Sequence, residues 1–272
     1  MHTKSQENDP ILKRNNVKVF GSGDHTLMLA HGFGCDQKMW RFMLPFLEKE
    51  YQIVLFDYVG CGQSDFSAYD NKRYQTLEGY ANDVIEICET LELEEVVFVG
   101  HSVSSVIGIL ASIEKPEIFS KLIMVCPSPC FLNFPPEYLG GFEKEDLEEL
   151  INLMDKNYIR WANYLAPLVM GQDNDTTLVS ELESSFCSTD PKYAKPFAQA
   201  TFFSDYRGAL SHVVHPSLIL QSSEDSLASI DIGSYMQRHM PNSMLSVIKA
   251  QGHCLHMTKP EIVAQQLMKF VL

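Results

Sequence analysis

The chain has 272 residues, of which 45% are apolar and 21% charged. This is ordinary globular usage and excludes disordered, collagen-like and coiled-coil classes. The length suits one large α/β domain. Thirty-five acidic against 21 basic side chains give a net charge of −14, which repels phosphate backbones and anionic membrane surfaces and argues against either as a partner.

The opening MHTKSQENDP is polar and lacks the apolar segment of a secretory leader, so a cytoplasmic location is expected. Seven widely spaced cysteines, an odd number, fit reduced thiols better than a disulfide framework. Short apolar runs at 17–20 (VKVF), 26–31 (TLMLAH) and 52–57 (QIVLFD) read as buried strands. Residues 76–91 then place Leu77, Tyr80, Val84, Ile87, Cys88 and Leu91 on one helical face.

The alternation continues with a strand at 95–100, a helix at 103–114 and a strand at 121–126. It resumes with a strand at 216–222, a helix at 231–239, a strand at 244–249 and a last helix after Pro260. The uncharged stretch 96–113 is long enough to span a membrane, but its serines, histidine and glycines suit a strand turning into a buried helix. Strand–helix alternation of this kind predicts a mostly parallel sheet with helices on both faces.

Residues 131–206 break that rhythm with helical patterns only, so the expected division is a core of residues 1–130 and 207–272 and a helical cap of residues 131–206. The cap holds 13 of the 29 aromatic residues. Some glue it to the sheet, and others are expected to line an apolar pocket, with Phe134, Trp161, Phe186 and Phe202 as candidates. The same window carries five basic and 13 acidic side chains, which reads as a solvated face or a docking surface for a basic partner.

The chemistry is concentrated in VVFVG-H-S-VSSVIGIL, where Ser102 follows a buried strand and opens a helix, the setting of a nucleophile elbow. Gly100 and Ser104 are small enough for the sharp turn, although Ser104 stands where the G-x-S-x-G pattern has glycine. A serine nucleophile needs a base and an orienting acid, in the chain order Ser, acid, His. The strand at 216–222 leads into Glu224 and Asp225, which local spacing does not separate, and the strand at 244–249 leads to His253 after Gly252. The backbone N–H groups of Val103 and of Phe33, in the HGFG loop, are the expected oxyanion donors. His101 is expected to point away from Ser102. His256 and Cys254 have no matching pair of zinc-like spacing, so no metal is expected and His256 reads as a structural or pocket-rim residue.

The segments HGFGCDQ (31–37), VLFDYVGCGQSD (54–65), RYQTLEGYA (73–81), PSPCFLN (127–133), PPEYLGGFE (135–143), FCSTDP (186–191) and FFSD (202–205) resemble the RsbQ-like branch of the α/β-hydrolase superfamily. That branch comprises bacterial stress-response regulators and the related plant karrikin and strigolactone receptors, and the similarity runs from Ile11 to the C-terminus. GHSVS is closer to the plant receptors and DYVGCG to the bacterial regulators. The resemblance implies a sheet of the eight-stranded type with a helical lid inserted after the sixth strand. It selects Asp225 over Glu224, making Ser102, Asp225 and His253 the catalytic triad and Phe33 and Val103 the oxyanion donors. It also implies hydrolysis of a small hydrophobic ester, lactone or acyl compound without a cofactor, coupled to signalling, with a PAS-containing phosphatase as the kind of partner the bacterial branch uses. The competing reading is a small-molecule receptor whose lid recruits a partner protein, with hydrolysis slow or secondary. An aspartate at the elbow would indicate dehalogenase or epoxide hydrolase chemistry; Ser102 argues against both.

Overall fold

The computed structural model describes residues 9–171 and 174–272, so most of the polar opening lies outside the described residues. A short helix, α1 (Pro10–Arg14), comes first, its N-terminus capped by the Asp9 carboxylate, 2.8 Å from the Ile11 N–H. Seven strands follow: β1 (Lys18–Gly21), β2 (His25–Ala30), β3 (Tyr51–Leu55), β4 (Val96–His101), β5 (Phe119–Val125), β6 (Ser217–Glu224) and β7 (Ser243–Gln251). They form one sheet in the order β1-β3-β2-β4-β5-β6-β7, in which β1 runs antiparallel to β3 and every other pair is parallel. Among the described residues this corrects the eight-stranded count and the lid after a sixth strand. Among the described residues the chain before β1 is helical, and the insertion leaves after the fifth strand.

Alternation of side chains along the strands divides the core into two layers. Leu27, Leu29, Ile53, Leu55, Val97, Val99, Ile123 and Val125 face one side. Trp40 and Met43 cover them, as do Leu47 on α2 (Leu44–Leu47) and Val263 and Leu267 on the last helix. Met28, Ala30, Val54, Phe98, Leu122 and Met124 face the other side, under α3 (Leu77–Thr90) and α4 (Val103–Glu114). Leu77, Tyr80, Val84, Ile87, Cys88 and Leu91 are all buried there. β4 is buried at every position, which explains why the stretch 96–113 reads as a continuous apolar run.

Four helices lie between β5 and β6: α5 (Lys144–Lys156), α6 (Tyr158–Met170), α7 (Thr176–Ser188) and α8 (Pro191–Phe202). The helical pattern of residues 143–165 is interrupted at Asn157, whose extended backbone ends α5 and whose side chain caps α6 at Arg160 N–H, 2.9 Å away. Leu147, Ile151, Trp161, Leu165, Phe186 and Phe202 join the same apolar cluster as the first layer of the sheet, so the insertion packs on the core without a separate core of its own. The fold ends with α9 (Ile230–His239), α10 (Leu255–Thr258) and α11 (Pro260–Val271). No described helix is long and apolar enough to cross a membrane.

Candidate active site

Ser102 sits between β4 and α4 with φ 56° and ψ −121°, a conformation that costs a non-glycine residue about 1–3 kcal/mol and persists only where its surroundings enforce it. A Cβ on Gly100 would lie 2.5 Å from the Ser104 carbonyl oxygen, so the turn can close only over glycine. The Ser104 hydroxyl donates to the His31 carbonyl and accepts from the Tyr58 hydroxyl, 2.9 Å away. The departure from the glycine pattern thus adds a tie between the elbow and the ends of β2 and β3.

Asp225 and His253 come from the loops after β6 and β7. Glu224 closes β6 with an exposed side chain, whereas the next residue, Asp225, turns a fully buried carboxylate inward. Its Oδ1 accepts the N–H groups of Leu227 and Ala228 at 2.9 and 3.1 Å, and its Oδ2 lies 2.7 Å from His253 Nδ1. Burial alone would raise the Asp225 carboxyl, but the neighbouring His253 and those two N–H groups hold it below its ordinary value. With Nδ1 donating to the carboxylate, Nε2 presents its lone pair to the Ser102 hydroxyl, 2.7 Å away. The His253 N–H donates to Val169 on α6 at 2.7 Å, and a Cβ on Gly252 would lie 2.0 Å from the Met170 carbonyl, so the histidine loop is held by the insertion as well as by the sheet.

The HGFG loop turns back after β2, with the Cys35 N–H 3.3 Å from the Gly32 carbonyl and Gly34 at φ +71°. His31 Nδ1 donates to the Gly32 carbonyl at 2.9 Å while Nε2 accepts the Tyr58 N–H at 3.2 Å. The backbone N–H groups of Phe33 and Val103 have no acceptor among the described residues. His101 points away from Ser102, its Nε2 2.9 Å from the His253 carbonyl. Burial, reinforced by the adjacent His253, pushes His101 down to about 3. His256 is fully buried between Trp40 and His101, at ring separations of 4.7 and 4.4 Å, so it is a packing residue and not part of a pocket rim.

Ser102 and His253 open onto a narrow cavity of about 30 Å³, room for about two water molecules. Phe186 and Phe202 line it, whereas Trp161 stands behind them, 5.4 Å from the Phe186 ring and 5.9 Å from that of Phe33. Phe134 is a correction: it is 39% exposed, in a turn bridged to Tyr138 with the Arg207 guanidinium 4.2 Å above its ring. Composition marks it only as aromatic, and the guanidinium provides the cover that the pocket would otherwise have given. Lining residues that the sequence reading misses are Leu165 and Val169, at successive helical steps of four from Trp161, together with Phe131, Leu182, Thr201, Leu227, Cys35 and Cys254. The spacing along α6 was a usable signal. The others depend on how the helices pack.

Among the described residues one set of side chains could hold a metal: Cys126, Asp225 and His253, whose donor atoms lie within 4.8 Å of one another. Burial, with the Asp225 charge nearby, raises the Cys126 thiol well above its ordinary value, and the hydrogen bond between His253 and Asp225 already engages the other two donors.

Residues 25–260 match the model of the alpha/beta hydrolase fold family. The chain belongs to the α/β-hydrolase family. It is 40% identical over 262 residues to a karrikin insensitive 2 receptor of Petunia hybrida, covering 96% of this chain and 97% of the relative. It is 37% identical over 266 residues to a strigolactone esterase of Arabidopsis thaliana, covering 97% and 98%. A solved structure of a hydrolase from Oleispira antarctica superposes with a TM-score of 0.95 at 57% identity, covering 98% of this chain and 97% of that one. This α/β-hydrolase therefore has relatives named both as receptors and as esterases.

Proposed function

We propose that the protein is a serine hydrolase acting on a small, hydrophobic ester, lactone or other acyl compound, with Ser102, His253 and Asp225 as its triad. The observation that carries this reading is the continuous hydrogen-bonded chain from Ser102 through His253 to Asp225 at the floor of an apolar cavity. Ser102 Oγ attacks the carbonyl carbon as its proton passes to His253 Nε2, and Asp225 stabilises the resulting imidazolium. The Phe33 and Val103 N–H groups receive the oxyanion, a contact worth about 3–4 kcal/mol per donor in the transition state. Collapse breaks the bond to the leaving oxygen, which takes the proton from His253. A water molecule, deprotonated by the same ring, then releases the acid and regenerates Ser102. Residues 131–206 act as the cap over a core made of the remaining residues, and the cavity beneath it favours a compact, apolar acyl group.

Ser102→Ala should reduce p-nitrophenyl acetate hydrolysis to background while leaving the circular dichroism spectrum unchanged; undiminished turnover would refute the assignment. The likeness to a karrikin insensitive 2 receptor favours a second reading, in which ligand occupancy changes the cap and recruits a signalling protein. A PAS-containing phosphatase is the partner class for the bacterial branch. Ligand-dependent partner binding that survives in Ser102→Ala would favour this reading over turnover as the output.

A further inference from the structure

The loop that carries the Phe33 N–H is held from two sides. From below, His31 and Ser104 fix its backbone to the sheet. From above it is held by α7. The Ser185 hydroxyl donates to the Gly34 carbonyl at 2.7 Å, and the Phe186 ring packs so closely on Gly34 that a Cβ there would lie 2.3 Å from it. One turn earlier on the same helical face, Glu181 forms a two-pronged ion pair with Arg41, in the 3₁₀ segment that follows the loop. The Phe33 ring meets Trp161, Phe186, Phe197 and Phe202, from α6, α7 and α8, at centroid distances of 5.6 to 6.4 Å.

We infer that Ser185 is a positioning residue for hydrolysis: through Gly34 it holds the turn that aims the Phe33 N–H, so the oxyanion donor is in place only while α7 is docked. The inference rests on the hydrolase reading above. Ser185 does not line the cavity at Ser102; it faces a groove on the outer side with Asp36, Lys38 and Glu181. Its removal takes away no lining side chain; the cavity wall it touches is the Cys35 thiol, which shares its hydroxyl. What changes is the Gly34 carbonyl, which loses the hydroxyl that holds it, in a turn whose glycine gives the backbone freedom to rotate. A cap that shifts to admit substrate loosens the donor, and one that closes restores it, so chemistry is confined to the closed form.

The test compares steady-state kinetics on p-nitrophenyl acetate in Ser185→Ala, Ser185→Thr and Ser184→Ala. Ser184 is a suitable control because its hydroxyl bonds only its own helix, at the Ser180 carbonyl. Removing an oxyanion donor outright costs about 10²–10³ in kcat, and misplacing one should lower kcat by about tenfold or more in Ser185→Ala with KM changed less than about twofold. Ser185→Thr should recover most of the rate and Ser184→Ala should keep all of it. An aryl trifluoromethyl ketone supplies the second readout. Ser102 Oγ adds to its carbonyl carbon, the proton passes to His253 and the alkoxide sits in the oxyanion site. Its inhibition constant should rise in Ser185→Ala in step with the fall in kcat, which general loosening of the fold would not produce. If Ser185→Ala does not fold, Ser185→Thr and Ser185→Val, alike in shape and different in the hydroxyl, carry the same comparison. Full kcat without the hydroxyl, or equal losses in kcat and substrate affinity, would overturn the inference. If Ser102→Ala is inactive and Ser185→Ala is undiminished, only the positioning role fails; if Ser102→Ala is itself active, the hydrolase reading fails first.

Discussion

The sheet and the four-helix insertion hold their parts of the site by different physics. Ser102 and Asp225 are placed by backbone: a positive-φ turn locked by Gly100, and a strand end after which the Leu227 and Ala228 N–H groups bind the carboxylate. The cavity walls on α6, α7 and α8 are placed by contacts between aromatic and aliphatic side chains, with few polar ties to the core. Hydrogen-bonded backbone specifies position tightly, while apolar packing fixes volume and leaves adjustment possible. On this reading the triad belongs to the sheet and selectivity to the helices, with His253 and the Phe33 loop straddling the two through their bonds to Val169 and Ser185.

The largest effect that would sharpen this division is on the sheet side. Asp225→Asn preserves shape but leaves His253 in the wrong tautomer, and kcat for a small ester should fall by about 10⁴ with the melting temperature nearly unchanged. Trp161→Ala on the cap should do the reverse. It should cost about 3–5 kcal/mol in urea unfolding, since the ring is completely buried, while turnover per folded molecule stays within about tenfold. A comparable loss of turnover in both variants would collapse the distinction. Ser104→Gly tests the tie beneath the elbow: the smaller residue fits, but the His31 carbonyl and the Tyr58 hydroxyl lose their partner, at a cost of about 1–3 kcal/mol.

The smallest effect concerns pH. Burial lowers the proton affinity of His31, His101 and His256, with His101 brought to about 3. An unfolded chain protonates these rings near pH 6.5, so the native state binds fewer protons below that value and stability falls as the solution is acidified. At pH 5 the loss from His101 alone should reach about 2 kcal/mol, at about 1.4 kcal/mol per pH unit. His256→Phe, which replaces a buried ring lacking hydrogen bonds with an apolar one of similar shape, should flatten the decline in the urea midpoint between pH 6.5 and 5. The Asp225 carboxyl acts in a lower window, its contribution being complete above about pH 3.9 and lost as pH falls further.

The core was largely legible because continuous apolar strand runs, helical faces and flanking glycines leave their mark on the residues themselves. The α3 face from Leu77 to Leu91 and the strand into Ser102 are examples. Glu224 and Asp225 could not be separated locally because both follow the same strand; register decides, since the strand carries Glu224 outward and the turn brings Asp225 in. The helical break at Asn157 and the surface position of Phe134 were hidden for another reason. Helical periodicity passes smoothly through a change of axis, and an aromatic residue reads alike whether a cavity or an arginine covers its face. The Ser104 tie was invisible because its acceptor, the carbonyl of His31, lies 73 positions away.

Six of the seven thiols are buried, and Cys187 alone is exposed, two residues beyond Ser185 on α7. The native chain thus carries its own single attachment point for a maleimide dye or a nitroxide, on the helix whose docking matters here. Motion of that helix during turnover can be followed spectroscopically on the wild-type polypeptide, with no engineered residue in the way.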